Sequence, residues 1–233
     1  MKTFNKQNIV IIGASGHAKV IIDIIEKLNH FTIVGLIDSY KPIGTQIFDY
    51  MVLGRKEDVP LLKKTYNFNK GIIAIGDNWA RKINYEKLTT IDPDFEFISA
   101  VHPNAIIGKN VSIGMGAVIL AGVIINSDAI VGDFCIINTK ASLGHDSQIK
   151  KYSSLGPNAT VGGHVSIKTC TYIAMSATII QSIKIGKHSI VGSGALIVRD
   201  VPDFNMVYGV PGKFIRKVAK AEKYFYHKNN TNT

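Results

Sequence analysis

The chain has 233 residues, 46% of them hydrophobic and 19% charged, with a formal net charge of +10. That length suits one large or two modest units, and the lack of a long unbroken apolar run argues against a membrane-spanning helix. Two cysteines make no disulfide framework, and no charged-then-apolar leader opens the chain, so a reducing cytoplasm is expected. The basic residues scatter through loops and the C-terminal stretch without a nucleic-acid motif. Anionic small ligands therefore fit the charge better than nucleic acid does.

Residues 8–12 (Asn-Ile-Val-Ile-Ile) read as a buried strand. Gly13-Ala14-Ser15-Gly16-His17 follows, then an amphipathic helix from Ala18 to Leu28. A strand, a glycine loop and a helix start form an anion cradle, because glycines let backbone N–H groups approach and the helix N-terminus favours negative charge. Phe31 to Ile37 reads as a second strand ending at Asp38, where a dinucleotide fold holds a ribose hydroxyl. The full G-x-G-x-x-G fingerprint is absent and only G-x-x-G remains, so the loop by itself equally suits a tight turn. A helix is expected over 57–66, a strand over 70–75 ending in Gly76-Asp77-Asn78, a helix over 79–88 and a strand over 95–99. Strands alternating with helices predict a small parallel sheet, with its ligand beyond the carboxyl ends of the strands. Ser15, His17, Asp38 and Gly76 fall there.

From Val101 to Pro202 the chain reads in sixes. Each of seventeen hexads begins with an aliphatic residue, from Val101, Ile107 and Ile113 through Val191 and Ile197. The fifth residue is usually small, as at Ala105, Ala117, Ala129, Cys135, Ala159 and Ala195. A period of six fits neither an amphipathic helix nor a meander. It fits a parallel β-solenoid in which three hexads make one triangular coil of about 18 residues and the coils stack to close a core. Seventeen hexads give nearly six coils. After Val201 the repeat stops, 202–206 reads as a loop and Phe214 to Tyr226 as a basic helix, with a frayed tail over 227–233. The expected units are 1–100 (Rossmann-like, which the resemblance below makes the nucleotide-sugar-binding unit), 101–202 (β-helix) and 203–233 (loop and helix).

The [Ile/Val/Leu]-Gly-x-x-[small]-x pattern resembles that of the hexapeptide-repeat acyltransferases, and Gly209-Val210-Pro211-Gly212-Lys213 resembles the ending that follows the repeats in that family. With Gly-Ala-Ser-Gly-His and Gly-Asp-Asn in front, the chain resembles one subgroup. These are the bacterial sugar acetyltransferases related to sialic acid O-acetyltransferases and to the N-acetyltransferases of nucleotide-linked 4-amino sugars. The expected fold class is an α/β N-terminal domain with a small Rossmann-like parallel sheet, then a parallel β-helix, which the resemblance implies is left-handed, and a C-terminal helix. The resemblance also implies acetyl-CoA as co-substrate, and a homotrimer with active sites shared between neighbours. Ser15, Gly16 and His17 would meet the diphosphate, Asp38 and Ser39 the ribose or base, and Gly76 and Asn138 the rest of the acceptor pocket. Ser39 stands where the family often has a second acid, which leaves base recognition open. Ser154, Met175 and Ser193 would contact acetyl-CoA, Gly163 would permit close approach, and Lys213 and the basic helix would meet the coenzyme phosphates.

His145 is the third residue of its hexad and so points outward, and Gly163 stands one coil later, leaving space beside it. An imidazole suits proton removal from a sugar amine near neutral pH. By resemblance His145 is the general base and Asp146 its partner, although the residue next to an outward one on a strand ordinarily points the other way. A surface histidine is the bland alternative. His164 lies 19 residues on, and three converging histidines would suit zinc, as in the γ-class carbonic anhydrases of similar fold; no third ligand has a convincing spacing within the chain, although a neighbouring subunit could supply one, and no metal is expected. The reading is an acetyl-CoA-dependent N-acetyltransferase acting on the C4 amine of a UDP-, dTDP- or GDP-linked amino-dideoxy sugar for bacterial surface glycans. Sugar O-acetylation of the sialic acid type is the alternative, and a non-catalytic nucleotide-binding scaffold a further one.

Overall fold

The computed structural model describes residues 6–224. Its N-terminal layer comprises β1 (Gln7–Ile12), α1 (Gly16–Leu28), β2 (Phe31–Ile37), β3 (Gln46–Ile47), β4 (Tyr50–Gly54), α2 (Val59–Tyr66), β5 (Lys70–Ile73), α3 (Asn78–Ile91) and β6 (Glu96–Phe97). The strands lie in the order β3-β4-β2-β1-β5-β6, parallel except for the β3–β4 hairpin. Val10 to Ile12 are all buried, because helices or the solenoid cover both faces of the sheet. The hairpin is an element that the sequence pattern did not announce. Its strands are short, and Phe48 between them adopts φ 51°.

From Ala100 onward seventeen two-residue strands follow at six-residue spacing and form three parallel ladders. The first face runs Ala100–Val101, Val118–Ile119, Ile136–Ile137, Ser154–Leu155, Tyr172–Ile173 and Ile190–Val191. The second runs from Ile106–Ile107 through Ser142–Leu143 to Leu196–Ile197, and the third from Ser112–Ile113 to Lys184–Ile185. The pairing offset is always 18 residues, for example Leu143 with Val161. The first-position aliphatics and the small fifth-position residues fill one interior cluster in which most side chains are 0–3% exposed. Corners turn at the fourth residue, which takes a left-handed φ near 55–60° in residue after residue, including Asn110, Asp128, Asp146 and His164.

The α/β layer sits on the first face. Ile21, Ile22 and Ile25 of α1 pack in one cluster with Ala100, Val118 and Ile136, while Phe95 and Phe97 join Phe134 and Tyr152 in another. Phe134 and Tyr152 stack at 5.4 Å.

The basic helix expected over Phe214–Tyr226 does not form. Lys213–Lys217 is instead a strand antiparallel to Asn205–Tyr208, itself the last addition to the first face. The open edge of that face offers unpaired N–H and C=O groups, and pairing with them wins over a weak helical pattern. Residues 218–224 fold back in turns, while Phe225, Tyr226 and the expected frayed tail lie outside the described residues.

Candidate active site

A cavity of about 850 Å³ opens where the carboxyl ends of the sheet meet the corner between the solenoid's first and second faces. Ser15, Gly16, His17 and Gly76 line it from the α/β side, as the glycine loops imply. Asn138, Ser154, Met175 and Ser193 line it from the solenoid, together with Pro157 of the same outward ladder. Gly13 holds φ 110°, and a Cβ there would lie 2.9 Å from the Ala74 carbonyl oxygen, so the turn leaving β1 requires glycine. Ser15 is the N-cap of α1 without a capping side-chain bond, Ala18 N donates to Ser15 O at 3.0 Å, and Gly16 and His17 of the first turn line the cavity.

His17 presents a buried Nε2 with no hydrogen-bond partner among the described residues. Burial, aided by the charge of Arg81, lowers its pKa to about 4, so the ring is neutral at working pH. Arg81 is fully buried and was not singled out by sequence reasoning. It donates from Nε to Phe134 O (2.7 Å), from Nη1 to Ile75 O (2.9 Å) and Gly76 O (3.0 Å), and from Nη2 to Asn78 Oδ1 (2.8 Å) and Ser154 Oγ (3.2 Å). One guanidinium thus ties the loop after β5 to the solenoid. Ser154 is 4% exposed and donates to Asn78 Oδ1 at 2.6 Å, so its hydroxyl is already engaged.

Asp38 and Ser39 do not line this cavity. The Asp38 carboxylate accepts from Ala14 N (2.8 Å), Tyr40 N (2.8 Å) and Lys41 N (2.9 Å), pinning the glycine loop to the end of β2. Lys213 lies on the exposed edge strand and is also outside the cavity. Asp77, Tyr172, Tyr208, Arg216, Lys223 and Tyr224 also line it; Asp77 belongs to the Gly-Asp-Asn motif, Arg216 and Lys223 to the basic segment expected at the coenzyme phosphates, and the three tyrosines were not anticipated. Arg216, Lys223 and Tyr224 belong to the segment read as a helix, which hid where they would reach.

His145 stands one corner further on, between the second and third faces, and does not line the cavity. Its Nδ1 lies 2.7 Å from Asp146 Oδ2. Asp146 is a corner residue with φ 56°, not part of a strand, and the left-handed turn swings its carboxylate back toward the ring. That is the reason the strand rule misjudged its direction. The hydrogen bond from His145, assisted by the charge of His164, lowers the Asp146 pKa, so the carboxylate is ionised and accepts. Nδ1 must then carry the proton, which leaves Nε2 with its lone pair free. A Cβ on Gly163 would lie 2.6 Å from that Nε2, so the bare glycine is what gives the ring its room. His164 Nε2 lies 3.8 Å from the same carboxylate oxygen, and the two imidazoles meet edge to face at 5.0 Å. Among the described residues His145, Asp146 and His164 bring donor atoms within 4.8 Å of one another, Asp146 being the third group that spacing alone did not supply.

Residues 8–88 match the family of the PglD N-terminal domain, and 104–139 match the bacterial transferase hexapeptide (six repeats). A variant of perosamine N-acetyltransferase from Caulobacter crescentus, solved with CoA and GDP-perosamine, is 32% identical and superposes with a TM-score of 0.84 over 90% of this chain and 97% of that one.

The chain belongs to the PglD-like hexapeptide-repeat sugar acetyltransferases.

The acetyltransferase domain of PglB from Neisseria gonorrhoeae, solved with acetyl coenzyme A, matches at 27% identity and a TM-score of 0.81, covering 91% of this chain and all of that one. Among curated proteins, GDP-perosamine N-acetyltransferase of Escherichia coli O157:H7 is 30% identical over 137 residues, 58% of each chain. Serine acetyltransferase of Bacillus subtilis is 30% identical over 115 residues, 49% of this chain. The chain spans about half the length of the curated relatives it matches. A Rossmann-like sheet followed by a left-handed β-helix is therefore the fold class of this PglD-like acetyltransferase, as the hexad pattern and its resemblance implied.

Proposed function

We propose that the protein transfers an acetyl group from acetyl-CoA to the C4 amine of a nucleotide-linked amino-dideoxy sugar, for bacterial surface glycan synthesis. The observation that carries this reading is the cavity walled by both the glycine loops and the solenoid ladder, which offers one enclosure to two ligands. The helix start at Ser15–His17 suits a diphosphate, and the Met175–Ser193 ladder suits a long thin pantetheine arm. The structural relatives carry CoA with GDP-perosamine, or acetyl-CoA, in their own sites.

In the reaction the amine nitrogen attacks the thioester carbonyl carbon while His145 Nε2 takes its proton. The C–S bond then breaks, and the proton passes from the imidazolium to the departing thiolate. Asp146 holds the Nδ1–H tautomer and balances the charge that the ring gains. No covalent acyl-enzyme is needed.

His145 sits at the corner after the second face, whereas the cavity opens at the corner before it, and His145 is not among the residues that line the cavity. A C3 homotrimer brings the His145 corner of one subunit to the cavity of its neighbour, with coenzyme A between them. The outward side chains of the second face support such contacts, with Ile106 63% and Ile124 41% exposed. No helix among the described residues is long and apolar enough to cross a membrane, and a reaction on dissolved nucleotide sugar and acetyl-CoA suits the cytoplasm.

Thiol release from acetyl-CoA against UDP-, dTDP- and GDP-linked 4-amino-4,6-dideoxy sugars, with free sialic acid as comparison, tests the reading. Turnover with one nucleotide amino sugar is expected. Turnover with sialic acid alone would convert the assignment to O-acetylation, and absence of both turnover and CoA binding would remove it.

A further inference from the structure

One wall of the cavity belongs neither to the repeats nor to the α/β sheet. It is made by the last described residues. After the edge strand, Val218 N donates to Phe204 O at 2.8 Å, and Glu222 N donates to Ala219 O at 3.2 Å. Glu222 also pairs with Arg216 and accepts from Ala219 N at 2.9 Å, which closes the fold-back. The Lys220 ammonium lies 5.2 Å over the Trp79 ring of α3. The strap then reaches Tyr224, whose ring stacks on Tyr172 of the first solenoid face at 4.1 Å and 14°.

The Tyr224 hydroxyl accepts from Asn78 N at 2.8 Å and donates to Gly76 O at 3.2 Å. Asn78 is the first residue of α3, so its N–H has no partner within the helix. Asp77, the N-cap, spends its carboxylate on Ala80 N. The hydroxyl of a residue 146 positions away therefore completes the turn that carries Gly76 to the cavity wall.

We propose that Tyr224 is a positioning residue for the acceptor: it fixes the Gly76–Asn78 turn, and through the strap it makes the nucleotide-sugar side of the cavity depend on the C-terminal segment. This rests on the reading that the cavity takes a nucleotide-linked sugar beside acetyl-CoA. Lys223, next to Tyr224, also lines the cavity and adds a cation to the wall that the strap makes. The Asn78 side chain is held independently, with Nδ2 donating to Thr171 O at 3.0 Å and Oδ1 accepting from Arg81 and Ser154. The coenzyme ladder is therefore expected to stay in place when the hydroxyl is lost.

The test is Tyr224→Phe in the full chain, which keeps the stack on Tyr172 and removes both hydrogen bonds. The KM for the nucleotide amino sugar is expected to rise roughly five- to tenfold, the loss of one or two buried hydrogen bonds, with kcat and the KM for acetyl-CoA within about twofold of wild type. Calorimetry with the matching nucleoside diphosphate should show the same weakening, while the melting temperature falls by no more than about 2–4 °C per lost bond. An unchanged acceptor KM would overturn the proposal. So would a joint loss in kcat and both KM values, which a general loosening of the fold predicts. Wild-type protein that neither turns over the sugar nor binds the diphosphate would instead remove the acceptor reading itself, and the proposal with it.

Discussion

At the residue scale the proposed chemistry rests on which nitrogen of His145 is bare. Asp146 is ionised and sits 2.7 Å from Nδ1, so the free lone pair is on Nε2, over Gly163. His145→Asn keeps a hydrogen-bonding side chain but takes no proton. Turnover is expected to fall about 10²- to 10⁴-fold, the usual contribution of a general base, with CoA affinity unchanged by calorimetry. Retained turnover would refute the role of the ring. His17 gives a prediction of a different kind. Its pKa is about 4 in the folded chain against 6.5 for the free side chain, because burial and then Arg81 oppose its charge. Between those values the unfolded chain binds more protons, so stability must fall as pH falls from about 6.5 toward 4, by up to about 1.4 kcal/mol per pH unit. Melting curves across that window should therefore be flatter in His17→Gln than in wild type.

At the scale of the element, the two glycines stacked around His145 make opposite predictions. A Cβ on Gly163 meets only the far end of the His145 side chain, at 2.6 Å from Nε2 and 2.7 Å from Cε1, and that side chain is 57% exposed. The ring swings aside at little cost to the fold. Gly163→Ala should lower kcat/KM at least about tenfold through misplacement of the base, with melting within about 2 °C of wild type. A Cβ on Gly144 lies 2.3 Å from the Gly162 carbonyl carbon, which is backbone of the next coil. Gly144→Ala should melt earlier, since two rungs must part. Differential scanning of the pair separates room for chemistry from room for stacking. The coils were legible because every inward position repeats every six residues, and His145 facing Gly163 follows from the same arithmetic. What no period revealed was set by single long-range bonds. Arg81 looks like one more helix cation until its carbonyl and side-chain acceptors are seen, and Asp38 looks like a ligand residue until three backbone amides claim it. The C-terminal strand was misread because its partner edge is created only when the solenoid ends.

At the scale of the whole molecule, each chain carries a cavity at one corner and a His145–Asp146 pair at the next, and the proposed reaction draws one half from each. The subunit-interface reading has a consequence that a self-contained monomer does not share. Take one variant lacking the base, His145→Ala, and a second whose cavity is blocked, Ser193→Trp, which fills the ladder on the solenoid wall. Each alone should be inactive. Mixed in equal amounts, dissociated and reassembled, a site functions only where the subunit giving the histidine is the second variant and the one giving the cavity is the first. Random assembly into a ring makes that about a quarter of all sites. Recovery near a quarter of wild-type turnover, with trimer mass by light scattering, is the expected result. No recovery from a reassembled trimer would place base and cavity of one site on one chain, and would require the second face to open between them.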